Sequence, residues 1–102
     1  MGVRVSIKPS TNKKKKYMAV FNYGEDHKRK KTIHFGSAGM SDFTIHKDED
    51  RKKRYLDRHR KRENWDKYMT AGSLSRYILW NKKTYKASVD DYIKRFNLTL
   101  KN

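Results

Sequence analysis

Val3-Arg4-Val5-Ser6-Ile7-Lys8 alternates apolar with charged or hydroxylic residues, the two-residue period of a strand with one buried face. Turn chemistry follows at Pro9-Ser10-Thr11-Asn12. A second strand, rich in aromatic and apolar residues, runs through Tyr17-Met18-Ala19-Val20-Phe21-Asn22-Tyr23 and is entered from a run of lysines. Gly24-Glu25-Asp26-His27 is a further turn, and Lys31-Thr32-Ile33-His34-Phe35 reads as a third strand ending at Gly36. Three strands joined by short turns imply an antiparallel meander over about residues 3–8, 16–23 and 31–35.

Beyond the loop from Ser37 to Asp42 the pattern changes. Asp48 to Arg62 contains no Gly, Pro or β-branched residue, and its acids precede its bases in the sense that suits a helix dipole. Asp48–Lys52, Glu49–Lys53, Asp50–Arg54 and Asp57–Lys61 stand acid before base at i,i+4, which anticipates a salt-bridged helix over 48–62. Tyr55 and Leu56 are its only large apolar anchors, so they should face inward while Arg51, Arg58 and Arg62 point to solvent. A second helix is expected over 71–81, with Leu74, Tyr77 and Ile78 on one face. A third is expected over 88–97, opened by the near-capping-box Ser88-Val89-Asp90-Asp91 and carrying the core stripe Val89, Tyr92, Ile93 and Phe96. The expected fold class is α+β: an N-terminal three-stranded antiparallel meander followed by about three helices, in a single small basic domain over residues 1–102.

Charge points to a class of partner. Lys and Arg total 27 against 11 acids, a formal +16 and an isoelectric point near 10.2. The excess is spread through the chain, so it belongs to the domain and not to a detachable tail. Such self-repulsion is relieved by an anionic partner, most simply nucleic acid. The absence of Cys excludes disulfides and thiolate metal sites. Apolar runs such as Tyr77-Ile78-Leu79-Trp80 are too short to span a bilayer, and no signal peptide is evident, so the expectation is intracellular and not secreted.

Two basic runs are the first candidate contacts. Lys13, Lys14, Lys15 and Lys16 lie in or beside the first hairpin loop; Lys28, Arg29, Lys30 and Lys31 lie in or beside the second. In a meander these loops occupy opposite ends of the sheet, roughly 20 Å apart for six residues of strand, and could touch phosphates on both sides of a groove. Their simplest structural role is to solvate hairpin tips. Arg51, Arg58 and Arg62 share one helical face with Tyr55, and the planar guanidinium suits phosphate. Trp65, Trp80, Tyr92 and Phe96 are expected in the core. His34, Asp42, His46 and His59 follow no recognised catalytic or metal-ligating spacing, so no catalysis, cofactor or metal is expected. Met1-Gly2-Val3-Arg4-Val5-Ser6 fits a myristoylation pattern, but Val3 and Val5 already fit a strand, so a membrane is not the expected partner.

The stretch from Ile33-His34-Phe35-Gly36 through Ser41-Asp42-Phe43-Thr44-Ile45-His46 continues to Arg51-Lys52, Tyr55, Arg58-His59 and Trp65. With Ser75-Arg76-Tyr77-Ile78-Leu79-Trp80-Asn81-Lys82 and Lys86-Ala87-Ser88, it resembles a small uncharacterised basic protein family encoded by giant DNA viruses of protists. The resemblance covers about residues 16–96. Family members carry bulkier aromatics where Ser73 and Leu74 stand and a proline near Lys83. The resemblance implies a viral protein acting in the host nucleus or virus factory, or packaged in the virion, and it makes DNA the preferred nucleic acid. It assigns no role to Asp42, His46, Arg58 or His59. The expected function is non-catalytic binding to duplex DNA through backbone phosphates, with weak sequence specificity. The alternative is a virion structural or assembly protein whose basic surface contacts capsid proteins or membrane.

Overall fold

The computed structural model describes residues 2–101. The alternating N-terminal segment forms β1, Arg4–Pro9, which pairs antiparallel with β2, Lys15–Tyr23. A short 3-10 turn at Glu25–His27 leads into β3, Arg29–Ser37, antiparallel to β2. The meander is therefore present, with strand ends shifted by one or two residues. Its count is corrected by β4, Thr99–Leu100, which lies parallel to β1 and gives the order β3-β2-β1-β4. Two residues carry no periodicity, and this pairing depends on where the last helix delivers the chain.

Register sorts the strands into two faces. Val5 and Ile7 sit opposite Phe21 and Ala19, which sit opposite Lys31 and Ile33; Tyr17 sits opposite Phe35. Val5, Ile7, Ala19, Phe21 and Phe35 are buried and join one core cluster with Leu74, Tyr77, Ile78, Leu79, Val89, Tyr92 and Leu98 of the C-terminal half. The helical side thus covers one sheet face, an α+β arrangement. Met18 and Val20, on the other face, lie outside that cluster.

α1, Phe43–His46, was not anticipated: four residues are too few for a periodic signal. Asp42 caps it, and Lys47 ends it in the left-handed conformation. α2, Glu49–His59, is capped by the Asp48 carboxylate, which accepts from the amides of Asp50 and Arg51. α3, Ala71–Leu74, runs on into a π-helical segment, Ser75–Leu79, in which the Trp80 amide donates to the Ser75 carbonyl at 3.0 Å. Tyr77, Ile78 and Leu79 are buried in succession along this wider turn. Gly36 makes this possible: it adopts φ +76, and a Cβ there would meet Leu79 at 2.7 Å.

The last helix is α4, Tyr85–Arg95, and its start is a correction. Thr84, not Ser88, is the cap, accepting from the Ala87 amide. Ser88 is fully buried one turn into the helix, where its hydroxyl accepts from the Lys82 amide at 3.0 Å. Ser88-Val89-Asp90-Asp91 has the residue types of a capping box, but the serine oxygen bonds an upstream backbone group from inside the helix. The four ion pairs expected along α2 also do not close among the described residues. Exposed pairs of that kind gain only a few tenths of a kcal/mol against side-chain entropy.

Candidate nucleic-acid interface

Lys13 and Lys14 lie in the β1–β2 turn, and Lys15 opens β2; all three are exposed. At the opposite end of the sheet, Lys28 precedes β3 and Arg29, Lys30 and Lys31 open it, again all exposed. Strand alternation divides this second run: Lys30 stands beside Asn22 on one face, Arg29 and Lys31 beside Tyr23 and Phe21 on the other. Arg51, Arg58 and Arg62 are exposed as expected. None of these ten side chains forms an ion pair among the described residues.

Lys16 is different. Its ammonium bonds the Asp42 carboxylate at 2.5 Å, with only 15% of the lysine side chain and 3% of the aspartate side chain exposed. The other oxygen of Asp42 accepts from the Thr44 amide at 2.9 Å and from the Thr44 hydroxyl. One carboxylate therefore caps α1, neutralises Lys16 and ties β2 to the approach of α2. A burial of this kind requires that pairing, since an unpartnered charge there would be strongly disfavoured.

α2 is held chiefly by rings. Tyr55 stacks on Trp80 with centroids 4.2 Å apart and planes 5° apart, and on His59 at 4.1 Å and 25°. The other side of the ladder passes from Trp80 to His46 at 5.3 Å and from His46 to Phe43 at 6.2 Å. Lys52, expected to pair with Asp48, instead donates to the Asn81 carbonyl at 2.8 Å and lies over the Phe43 ring. Burial and the nearby Arg76 guanidinium lower its pKa. Burial pushes the Tyr55 hydroxyl up to about 12, with the Glu63 carboxylate adding to the rise. Arg76 lies over Trp65 and Tyr77 and donates to the Trp80 carbonyl, fixing the far side of the ladder.

A cleft of about 350 Å³ opens between the sheet end, α2 and α3. Lys15, Lys16, Asp42, Arg58, His59 and Glu63 line it, so the end of the first lysine run meets one arginine of α2, Arg58, there; Lys13, Lys14, Arg51 and Arg62 lie outside it. The second run, Lys28 to Lys31, lies at the far end of the sheet and does not join them. His34, Asp42, His46 and His59 do not converge on one point: His34 bonds Ser10, His46 accepts from the Asp48 amide, and His59 contacts Glu63. Among the described residues no group of three or more acidic or imidazole side chains is placed to hold a metal.

Sequence reasoning missed Lys53, Arg54 and Lys61, which it assigned to helical pairs. All three are exposed with no ion pair among the described residues, so α2 presents a larger cationic surface than expected. The signal was available in their spacing along an almost wholly polar helix; the error lay in treating permitted pairs as formed ones.

The molecule is thus a small basic α+β protein with a half-covered sheet and a cationic helix pinned to its end. Residues 5–59 match DUF5754, a family of unknown function, and the chain belongs to that family. The matched span runs from β1 to the last residue of α2 and includes both lysine runs. No curated protein and no solved structure matches the chain. No helix among the described residues is long and apolar enough to cross a membrane.

Proposed function

We propose that the protein binds duplex DNA without catalysis, mainly through backbone phosphates, and that it serves a DNA virus of the kind its sequence resembles. One observation carries the reading. Lys13, Lys14, Lys15, Lys28, Arg29, Lys30, Lys31, Arg51, Arg58 and Arg62 are all exposed and form no ion pair among the described residues, in a chain of formal charge +16. Lys16, Lys52 and Arg76 are turned inward onto a carboxylate, carbonyls or rings, whereas these ten are displayed at the surface. Ten such groups at two ends of a sheet and along one helix suit an extended polyanion better than a compact ligand.

The test is anisotropy titration of a labelled duplex across salt. With about 6–10 phosphate contacts, affinity should fall by on the order of 10³–10⁵ between 50 and 200 mM salt. Replacing Lys13, Lys14 and Lys15 with Ala should weaken all sequences alike and flatten the slope, while Lys16 stays with Asp42. A slope near zero rejects the reading. Binding to acidic proteins but not to DNA would favour assembly into a virion instead.

A further inference from the structure

The uncovered face of the sheet has a composition that neither lysine run nor α2 explains. Its register forms three rungs: Arg4–Asn22–Lys30, Ser6–Val20–Thr32 and Lys8–Met18–His34. The helices pack on the other face, and Met18 and Val20 lie outside the core cluster they cover, although Val20 is itself buried in the middle rung. No Asp or Glu occurs anywhere in β1, β2 or β3. Arg4, Lys8, Lys30 and Thr32 are exposed. The His34 ring meets the Ser10 hydroxyl at 2.7 Å, and the Thr11 hydroxyl donates to the Met18 sulfur.

We infer that this face is the floor on which duplex DNA lies, between the two lysine runs; the inference rests on the nucleic-acid reading above. The two cationic rungs are four residues apart along the strands, about 13 Å, close to the roughly 12 Å width of the major groove. Arg4 and Lys30 on one rung and Lys8 on the other can therefore reach phosphates on either side of a groove. Ser6 and Thr32 bring hydroxyls to the middle rung. The Lys13–Lys15 turn extends the cationic track beyond one end and Lys28 beyond the other.

The same face argues against single strands. A sheet that binds unpaired bases needs exposed rings for them to stack on. None of the nine rung residues except the His34 imidazole carries a ring, and that imidazole is half-buried against Ser10. Tyr17, Phe21 and Phe35 all turn to the helix-covered face. What remains is phosphate and hydrogen-bonding chemistry suited to a polymer whose bases are already stacked.

The experiment compares two charge-matched triple variants, R4Q/K8Q/K30Q on the sheet face and K83Q/K86Q/K94Q around α4. Each is titrated with a 20-base-pair DNA duplex, an RNA duplex of the same sequence, and the single DNA strand. All six residues are exposed, and a thermal melt of each variant is run first to check that it folds. The sheet variant should lose at least tenfold in duplex affinity at 100 mM salt and flatten the salt slope by about 2–3. The α4 variant should lose threefold or less. Wild-type binding that both variants weaken equally overturns the sheet assignment and leaves the nucleic-acid reading standing. A single strand or an RNA duplex bound more tightly than duplex DNA overturns both the sheet assignment and the choice of duplex DNA as ligand. A wild-type protein that binds none of the three polymers removes both.

Discussion

α2 and α4 are both eleven residues long, and both open on a side-chain cap that accepts from the first-turn amides. Their burial is opposite. α4 sinks Ser88, Val89 and Tyr92 completely, and the Tyr92 hydroxyl reaches the Tyr68 carbonyl at 2.6 Å. α2 buries no residue and holds on through Tyr55, Leu56, Lys52 and His59, each only half-covered. A helix made almost wholly of charged residues gains little from the core, so its stability is local and its surface is available for other contacts. One helix specifies the fold; the other displays cations.

The strongest way to break this contrast is Tyr92→Ala. Loss of a fully buried ring and its hydrogen bond should cost about 3–5 kcal/mol and lower the urea midpoint for the whole chain. A loss below about 1 kcal/mol would mean that α4 is no more central than α2.

Asp42→Ala comes next. It removes the α1 cap and leaves the Lys16 ammonium without its carboxylate, for an expected cost of about 2–3 kcal/mol in the same assay. Asp42→Asn keeps the cap oxygen and should recover part of that loss. An equal loss in both variants would assign the whole effect to charge neutralisation and none to the cap.

These residues also show what was legible in the sequence. Alternation in β1 and β2 and the stripe Val89-Tyr92-Ile93-Phe96 announced a core-facing meander and helix, because burial imposes period. α1 was hidden because four residues carry no period, and β4 and the π-helical segment because each depends on contacts between distant segments and not on local pattern. The exposure of Arg51, Arg58 and Arg62 followed from the scarcity of apolar residues around them. The tie between Lys16 and Asp42 did not, since a lysine in a run of four carries no mark of which neighbour will fold inward. The ring ladder was divided in the same way: Tyr55 was placed inward, but its partner Trp80 reaches it only through the π turn.

Tyr55→Ala sharpens the comparison at smaller magnitude. Both ring stacks disappear, and a loss of about 1–3 kcal/mol is expected. Hydrogen exchange should show α2 amides losing protection while those of α4 keep theirs, and Tyr55→Phe should remain near wild type because the hydroxyl contributes little to the ladder. Equal loss of protection in both helices would show that α2 does not open on its own.

The smallest effect belongs to His46, and its sign follows from its contacts. Nδ1 accepts from the Asp48 amide at 2.9 Å, so the neutral ring carries its proton on Nε2, which is buried with no partner among the described residues. Charging the ring would place a proton on Nδ1 and break that bond. Burial lowers the pKa of His46, and Arg51 and Lys16 add to this; Asp48 and Asp42 oppose it without reversing it. The folded state therefore binds fewer protons than the unfolded state below the ordinary histidine value of about 6.5. Its contribution to stability is complete above that pH and declines as pH falls through it toward the depressed folded value. Hydrogen exchange on α2 should accelerate modestly between about pH 6.5 and 5, relative to α4 and after correction for intrinsic exchange. His46→Gln should remove that acid limb, whereas His34→Gln, at the Ser10 contact on the sheet, should leave it in place. Survival of the acid limb in His46→Gln would overturn the assignment of the pH response to this ring.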